Sequence, residues 1–417
     1  MKNISLLLCV MLQALTAFGQ NQKARAAVIS DSLQTGKLEQ IIETVGRKYA
    51  PDKRKAIFKA YILSGNPLEI AAESTSLHAL SYLKELLEKS HINALVKDSI
   101  LPSAALEGNI YGVVRLSVAN NRSVPGHASE MVTQSLMGTP VEILKKERGY
   151  YLVRTPDGYL SWTDDFGIVA MDRENFEKWQ QTAKVVFTER YGVVSSLPTS
   201  TSLPVSDLVS GDILHLVKEG KPFSEVSLPD GRRGFVLSKS LEQYTKWISR
   251  PNPDAMAIVN TAKTFLGVPY LWGGTSVKGV DCSGFTKTCF FLNGIILERD
   301  ASQQALTGEK VDIYDKDSVS IKKCLQNLKP GDLLFFGNRR NGSGTPRVIH
   351  TAIYLGGGEF IQSAGMVRIN SLLSDAPNFD AYQSRSLLSA RRILTAIGGE
   401  GITRIDHHPL YLTEIKN

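Results

Sequence analysis

Cys282 is the residue of this sequence best suited to covalent chemistry. Apolar residues recur after it at helical spacing and Asn293-Gly294 supplies a stop, so Cys282 is predicted to begin a helix. Backbone N–H groups and the helix dipole at an N-terminus lower the pKa of a thiol and can receive an oxyanion. We therefore predict a thiolate nucleophile at Cys282. Cys289, inside the same helix, is predicted to be a core residue, and the rival nucleophile Ser283 lacks a Gly-x-Ser-x-Gly elbow.

A base for this thiol is expected in the stretch from Val348 to Gln362, which predicts a β-hairpin. Strand-forming residues alternate on both sides of the turn Gly356-Gly357-Gly358. His350 opens the first strand and Gln362 ends the second, so antiparallel pairing could bring them side by side. We expect His350 to be the general base and Gln362 to accept a hydrogen bond from its other ring nitrogen. The turn lacks a following Lys-Ser/Thr, so no phosphate-binding loop is expected.

Composition describes an ordinary multidomain globular protein. The 417 residues exceed what one hydrophobic core usually serves, so roughly two to four domains are expected. Apolar residues make up 42% and charged residues 21%, which excludes a disordered or disulfide-scaffolded chain. The net charge of +7 is too mild for a nucleic-acid reader, so no nucleic-acid partner is expected.

The first nineteen residues are interpreted as a secretory signal peptide. Lys2 precedes an apolar run from Ile4 to Leu15, and small residues surround a possible cleavage site after Gly19. The run is far below the ~20 residues needed to span a bilayer, so no transmembrane segment is predicted. Of the four cysteines, Cys9 would be lost with the peptide. The odd number that remains argues against a disulfide framework in an exported protein and indicates a free thiol.

The stretch after the signal peptide is predicted to contain four further domains and a tail. A helical pattern, with Leu80, Leu83 and Leu87 at three- and four-residue steps, predicts a helical N-terminal region. β-rich segments with turns follow, then a long α+β stretch, and a solvated tail in which His407-His408 lack workable metal-ligand spacing. The predicted domains are a helical region at 20–104, β-barrels at 105–172 and 173–250, a catalytic domain at 251–397 and a tail at 398–417.

The two β-barrels are predicted from an internal repeat with a period of 73 residues. In this register Gly138 falls on Gly211, and Pro156-Asp157-Gly158 falls on Pro229-Asp230-Gly231. The copies differ, because Tyr159 follows the Asp-Gly turn in the first and Arg232 takes that place in the second. We interpret the first copy as adapted for contact and the second as a spacer.

The sequence around the predicted catalytic residues resembles that of the NlpC-type cell-wall cysteine peptidases. The likeness rests on Tyr-x-Trp-Gly-Gly at 270–274, Asp-Cys-Ser-Gly-Phe at 281–285, Arg-Asp-x-Ser-x-Gln at 299–304 and His-x-x-x-Tyr-x-Gly at 350–356. The two repeated modules resemble bacterial SH3 domains. The arrangement is most similar to the γ-D-glutamyl-diamino-acid endopeptidases, also called dipeptidyl-peptidase six. This resemblance implies an α+β fold with a papain-like catalytic domain, preceded by two SH3-like barrels.

The resemblance also implies roles for individual residues. Cys282 is then the nucleophile, His350 the base, and Tyr270 a donor at the oxyanion site. Gln362 holds a third position where the family more often has His, which leaves the orienting residue open. The family builds a closed pocket for the amino end of muropeptides, partly from the first SH3-like module. The implied substrate-binding residues here are Asp281, Ser283, Trp272, Asp300, Ser302, Glu130 and Tyr159.

The sequence therefore predicts an exported peptidase that needs neither a metal nor an organic cofactor. Its expected substrates are peptidoglycan stem peptides with a free N-terminal L-Ala, cut at the γ-D-glutamyl-diamino acid bond, in the periplasm or outside the cell. Two alternatives remain. One is a non-catalytic wall-binding protein that docks through its SH3-like pair. The other is an amidase or acyltransferase on the same Cys-His core.

Overall fold

The protein is described by a computed structural model covering residues 35–63, 68–250, 252–338 and 346–412. The chain forms two compact units, one ending at Leu101 and one starting at Pro102. The predicted signal peptide at 1–19 lies outside the described residues. Within the described residues, no helix is both long and apolar enough to cross a membrane.

The first unit contains a three-stranded sheet, so the prediction of a purely helical region is wrong. A helix at 35–49 is followed by strands Phe58–Leu63 and Leu68–Ser74, helix Leu77–Lys89 and strand Ala94–Ile100. The first two strands are antiparallel, and the second pairs in parallel with the third across the intervening helix.

The two predicted helices of this unit are present, and the strands were missed for a physical reason. Burial along Phe58–Leu63 alternates between half-buried and exposed residues, as on a sheet with one covered face. Both helices cover the same side, where Leu38, Val45, Ile70 and Leu83 form a shared core. Ala, Ser, Glu and Lys fill much of the strands, and these residues have little intrinsic strand preference.

The second unit begins with two β-modules that share one strand plan. Each is a seven-stranded antiparallel sheet with the same strand order, and every strand of the second module begins 73 residues after its counterpart in the first. The predicted repeat is therefore confirmed. The strands of the first module are Tyr111–Val114, Val118–Arg122, Met131–Leu136, Pro140–Glu147, Tyr150–Arg154, Leu160–Asp164 and Ile168–Met171. Those of the second are Lys184–Phe187, Tyr191–Ser195, Pro204–Val209, Ile213–Lys218, Phe223–Ser227, Arg233–Leu237 and Leu241–Gln243.

The glycines of the repeat are placed where the backbone demands them. Gly138 and Gly211 both have positive φ, at 76° and 94°, and each stands in the turn before the fourth strand of its module. Gly138 also lies against the second module, because a Cβ added there would be 2.4 Å from the carbonyl oxygen of Ile213. Helix Arg173–Gln181 connects the two modules, and helix Tyr244–Ile248 follows the second.

The catalytic domain packs helices against a six-stranded antiparallel sheet. In spatial order the sheet strands are Glu309–Lys310, Leu387–Arg392, Leu333–Asn338, Arg347–Gly356, Glu359–Ala364 and Met366–Ser371. Short pairs are formed by Thr275–Ser276 with Gly279–Val280 and by Tyr314–Asp315 with Ser318–Val319. The helices are Ala255–Thr264, Cys282–Phe291, Ala301–Gln304, Ile321–Asn327 and Ala381–Ser386. We call Cys282–Phe291 the nucleophile helix; its Phe285 and Phe290 pack with Phe335 and Ile353 of the sheet in one core.

The segment predicted to be a solvated tail is instead part of the core, up to residue 412. Strand Ile402–Arg404 pairs with Ile295–Leu297 of the catalytic domain. Ile405 and Tyr411 are buried, and the Tyr244 hydroxyl donates to the Tyr411 carbonyl oxygen at 2.9 Å. The prediction failed because it rested on His407 and His408 and overlooked the apolar residues on either side of them, Ile402, Ile405 and Tyr411. Residues 413–417 lie outside the described part of the chain.

The contact at Gly138 gives a stability prediction. We expect Gly138→Ala to lower stability by about 3 kcal/mol, because the methyl group would add a backbone clash to the left-handed strain of roughly 1–2 kcal/mol. Gly149→Ala is the matched control, with the same φ of 76° and no atom within 4 Å of the added Cβ. Thermal unfolding midpoints measure both. Equal losses in the two variants would contradict close packing between the modules at this point.

Candidate active site

A buried ion pair holds the start of the nucleophile helix. Asp281 is the N-cap, with Oδ1 accepting from the backbone N–H of Gly284 at 2.7 Å. Its Oδ2 accepts from Arg299 at 2.6 Å and from the backbone N–H of Gly273 at 2.9 Å. Burial alone would lower the pKa of Arg299, which is 1% exposed, but Asp281 raises it. One carboxylate thus fixes the helix, the preceding loop and the arginine together.

Gly284 lets the nucleophile helix lie against the same loop. A Cβ at this position would be 2.0 Å from the carbonyl oxygen of Gly274, so only glycine fits. Ser283 is buried beside it, and its hydroxyl accepts from Arg299 at 3.1 Å. The structure therefore joins Ser283 to the positioning network of the helix.

Cys282 begins the helix as predicted, but its thiol is not activated in advance. The backbone N–H groups of Thr351 and Ser283 act on the sulfur to lower the pKa of Cys282, which favours the thiolate. Burial outweighs them, and together with Asp281 it raises the pKa of Cys282 to about 11. The expectation of a lowered pKa is therefore wrong: with the side chain only 8% exposed, lost hydration costs the thiolate more than the helix N-terminus returns.

His350 and Gln362 are brought together as the hairpin predicted. They lie on strands Arg347–Gly356 and Glu359–Ala364, and Nε2 of the histidine is 2.6 Å from Oε1 of the glutamine. The Gln362 amide nitrogen donates to Asn370 at 2.9 Å and to Asp380 at 3.2 Å. These acceptors orient the amide so that its oxygen faces the imidazole. His350 therefore carries its proton on Nε2 and keeps Nδ1 as the acceptor.

The position of His350 relative to the nucleophile follows from the strand it occupies. The backbone N–H of Thr351, the next residue, lies near enough to Cys282 to lower the pKa of its thiol. Burial lowers the pKa of His350, while Gln362, Asp380 and Asp281 act in the opposite direction. Burial thus favours a neutral thiol on Cys282 and a neutral imidazole on His350, so the thiol must lose its proton before or during attack.

Tyr270 lies close enough to this pair to act as a donor. Burial raises its pKa to about 12, and the proximity of Cys282 and Asp281 adds to the effect. Its hydroxyl is therefore protonated at neutral pH and can donate a hydrogen bond. Its place at an oxyanion site stays a prediction.

The loop after Leu297 is anchored to the nucleophile helix by a residue that the sequence did not single out. Gln304 accepts from the Thr286 hydroxyl at 2.8 Å and donates to the carbonyl oxygens of Ser283 and Glu298. Asp300 is half-buried and Ser302 exposed on the short helix that follows. Buried glutamine has no sequence signal of its own, so Gln304 was recognisable only as a member of a polar loop.

The first β-module contributes residues on one side of the nucleophile. Trp272 donates from its indole N–H to Oε1 of Glu130 at 2.9 Å and is 61% exposed. Tyr159 is buried and, like Asp300, lies near enough to Arg299 to influence its pKa. These four residues therefore lie around the loop and helix that carry Cys282, and their role in a substrate pocket stays a prediction.

Three residues near the catalytic pair were missed in the sequence. Arg299 was noted only as part of a motif, yet it holds Asp281. Asn370 and Asp380 lie behind Gln362 and come from a strand and a turn without any catalytic signature. Among the described residues, no cluster of three or more His, Cys, Asp or Glu side chains could hold a metal ion.

Comparison with known proteins identifies relatives of both parts of this unit. Residues 267–386 match the NlpC/P60 family, and residues 121–165 match the bacterial dipeptidyl-peptidase SH3 domain. A γ-D-glutamyl-L-lysine dipeptidyl-peptidase from Bacillus cereus is 30% identical over 247 residues, covering 57% of this chain and 68% of the relative. Dipeptidyl-peptidase 6 from Lysinibacillus sphaericus is 29% identical over 277 residues, covering 64% and 93%.

Solved structures show the same fold. An NlpC/P60 family protein from Bacillus cereus superposes with a TM-score of 0.56 at 24% identity, covering 68% of this chain and 99% of that one. An NlpC/P60 endopeptidase from Photobacterium damselae gives a TM-score of 0.51 at 16% identity, covering 85% and 90%. The first β-module is thus an SH3 domain of this class; the same name for the second module stays a prediction.

The raised thiol pKa predicts how Cys282 reacts in the free protein. We expect its alkylation by iodoacetamide to rise about tenfold per pH unit through neutrality, because the thiolate fraction grows at that rate below the pKa. The acidic limb of kcat/KM should fall below pH 6.5, since the lowered pKa of His350 keeps the base neutral until then. Mass spectrometry of the alkylated peptide and initial rates measure the two.

A histidine variant separates this state from a preformed ion pair. In His350→Asn, alkylation of Cys282 at pH 7 should stay unchanged while turnover is lost, because the free thiol does not depend on the imidazole. A tenfold slower alkylation, or a plateau of reactivity below pH 7 in the parent protein, would instead show a thiolate–imidazolium pair.

Proposed function

Because the chain belongs to the NlpC/P60 family, we propose that this cysteine peptidase cleaves the γ-D-glutamyl–diamino acid bond of peptidoglycan-derived peptides with a free N-terminal L-Ala. The observation that carries the proposal is the single-tautomer His350–Gln362 pair beside a capped Cys282. The names of the relatives from Bacillus cereus and Lysinibacillus sphaericus support the choice of bond.

The proposed reaction uses only groups of this chain and water. As the Cys282 sulfur attacks the γ-carbonyl carbon, its proton passes to Nδ1 of His350. The oxyanion accepts from the backbone N–H of Cys282, in the first helical turn, and from the Tyr270 hydroxyl. His350 then protonates the leaving amine, and the C–N bond breaks to give a thioester. Water, deprotonated by His350, hydrolyses the thioester and returns the thiol.

The amino end of the substrate would be recognised beside the first β-module. Glu130 offers a carboxylate at the mouth of the site, held by the Trp272 indole. An ammonium group requires such a partner, and a wall behind it restricts cleavage to peptides with a free end. We propose that Tyr159, Asp300 and Ser302 complete the pocket.

Asp281 and Ser283 have a different place in this proposal. Both oxygens of Asp281 already accept from protein donors, and the Ser283 hydroxyl is engaged by Arg299. We propose that these two residues act on the substrate indirectly, by fixing the nucleophile helix and the loop that carries Trp272.

We further propose that the protein is exported and that peptidoglycan stem peptides are its partners. The charged and apolar pattern of residues 1–19 supports export. We propose that the second module, which repeats the first strand for strand, belongs to the same SH3 class. Its proposed role is that of a spacer.

Removal of the nucleophile tests the reaction. Cys282→Ala should lower kcat/KM on L-Ala-γ-D-Glu-diamino acid peptides by at least about 10⁴-fold, because no other group can form the thioester. Cys324→Ala is the matched control, since Cys324 is buried away from the site in a separate core cluster. Mass spectrometry of the products identifies the bond cut. Release of the L-Ala alone, or transfer without hydrolysis, would favour an amidase or acyltransferase.

The proposed amino-end pocket has its own test. N-terminal acetylation of the peptide should reduce kcat/KM by about 100-fold or more, because it removes the charge that Glu130 would bind and adds bulk where the pocket would be closed. Glu130→Gln should weaken cleavage of the free peptide about tenfold while changing the acetylated one little. Glu147→Gln, an exposed change in the same module, serves as control. Equal rates on free and acetylated peptides would exclude the pocket.

A further inference from the structure

The amide of Gln362 is the middle of a longer chain of contacts. Its side chain is completely buried, with the oxygen on His350 and the nitrogen on Asn370 and Asp380. Both the oxygen and the nitrogen of the amide therefore have fixed partners. Rotation of the amide by 180° would place its NH2 group against the Nε2–H of His350 and its oxygen against the acceptor oxygens of Asn370 and Asp380. The outer two residues decide which way the amide points.

Asp380 is held rigidly for this contact. It caps helix Ala381–Ser386, with Oδ1 accepting from the Gln383 backbone N–H at 3.0 Å, and its own N–H donates to the Ser371 carbonyl oxygen at 3.0 Å. Its other oxygen, Oδ2, is the one that faces Gln362. Arg368 approaches the same oxygen only to 3.8 Å and is 47% exposed, so it screens the carboxylate only in part.

We propose that Asp380 is a positioning residue of the catalytic site, which orients Gln362 and supplies the negative charge that this neutral amide lacks. The inference rests on the proposed function of His350 as the base. During attack the imidazole becomes an imidazolium, and a fixed carboxylate behind the amide stabilises that charge without taking the proton.

The charges that face His350 make the effect measurable. Asp380 and Asp281 raise the pKa of the imidazole, and Arg368 lowers it, against the larger lowering by burial. Cys282 is neutral in the free site, and Tyr270 keeps its proton. Asp281 is already paired with Arg299, so Asp380 is the carboxylate whose removal changes the field at His350 with the nucleophile helix left intact.

The test measures the pKa of His350 directly by NMR in the Cys282→Ala background, without substrate. Asp380→Asn should lower that pKa by about half a unit to one unit, the size of a screened charge at short range. Asparagine still caps a helix, so the fold is retained. In the enzyme with Cys282, the same change should lower kcat about threefold to tenfold with KM nearly unchanged. Asp375→Asn, an exposed change five residues earlier, should alter neither.

A carboxylate placed at position 370 should compensate for the loss of the Asp380 charge. Asn370→Asp places a carboxylate at the other acceptor of the Gln362 amide, so it should raise the pKa of His350. The double variant with Asp380→Asn should return it toward the parent value. An unchanged pKa in both single variants overturns the inference, and if Asp380→Asn does not fold, Asn370→Asp alone decides. Since the titration needs no turnover, failure to cleave the proposed peptides would refute the proposed function separately.

Discussion

The buried pair of Asp281 and Arg299 is the interaction on which the active site depends. One carboxylate caps the nucleophile helix, holds the loop that carries Trp272 and binds an arginine from the loop before helix Ala301–Gln304. With side-chain exposures of 9% and 2%, neither charge has water to replace its partner. Removal of one member of such a pair typically costs about 3–5 kcal/mol. The pair therefore fixes where Cys282 stands, while Asp281 opposes ionisation of the thiol and Arg299 favours it.

Burial, with a smaller contribution from Asp281, raises the pKa of Cys282 and so favours the protonated thiol in the free site. A helix N-terminus favours the thiolate, but its effect is small against burial in a site closed on one side by the first β-module. The chemistry then relies on a base that is neutral, correctly tautomeric and already oriented. Burial favours the neutral imidazole of His350, while Gln362, whose amide is directed by Asn370 and Asp380, fixes its tautomer and orientation. The cost of a buried, unactivated thiol is offset by the exclusion of competing reactions with water and oxidants.

Local pattern in the sequence was enough to predict the catalytic pair and the repeat. The helix after Cys282, the hairpin that joins His350 to Gln362 and the 73-residue register all depend on neighbouring residues, and the structure confirms them. Asp380 could not be predicted, because its contact with Gln362 requires the turn between Ser371 and Asp380 to bring it back to the sheet. The strands of the first unit and the buried segment to Tyr411 were missed because tertiary packing, with little help from residue preference, decides their state.

The two β-modules have the same fold but make different contacts with the catalytic domain. Their strands share one sequence register, yet the two modules make different polar contacts with the catalytic domain. The second module contacts the segment before Cys282, where Asp207 pairs with Lys278 at 2.5 Å and the Tyr191 hydroxyl donates to the Val277 carbonyl oxygen at 2.5 Å. In the first module, the side-chain oxygen of Gln134 accepts from the backbone N–H of Thr275 at 3.0 Å, and Asp157 binds Lys287 of the nucleophile helix at 2.5 Å. Asp230, the counterpart of Asp157, instead pairs with Arg115 and Arg232 of the modules themselves. The same Asp-Gly turn thus joins the first module to the nucleophile helix and the second module to the first. Because Glu130 belongs to the first module, the contact between Asp157 and Lys287 also fixes that module against the nucleophile helix.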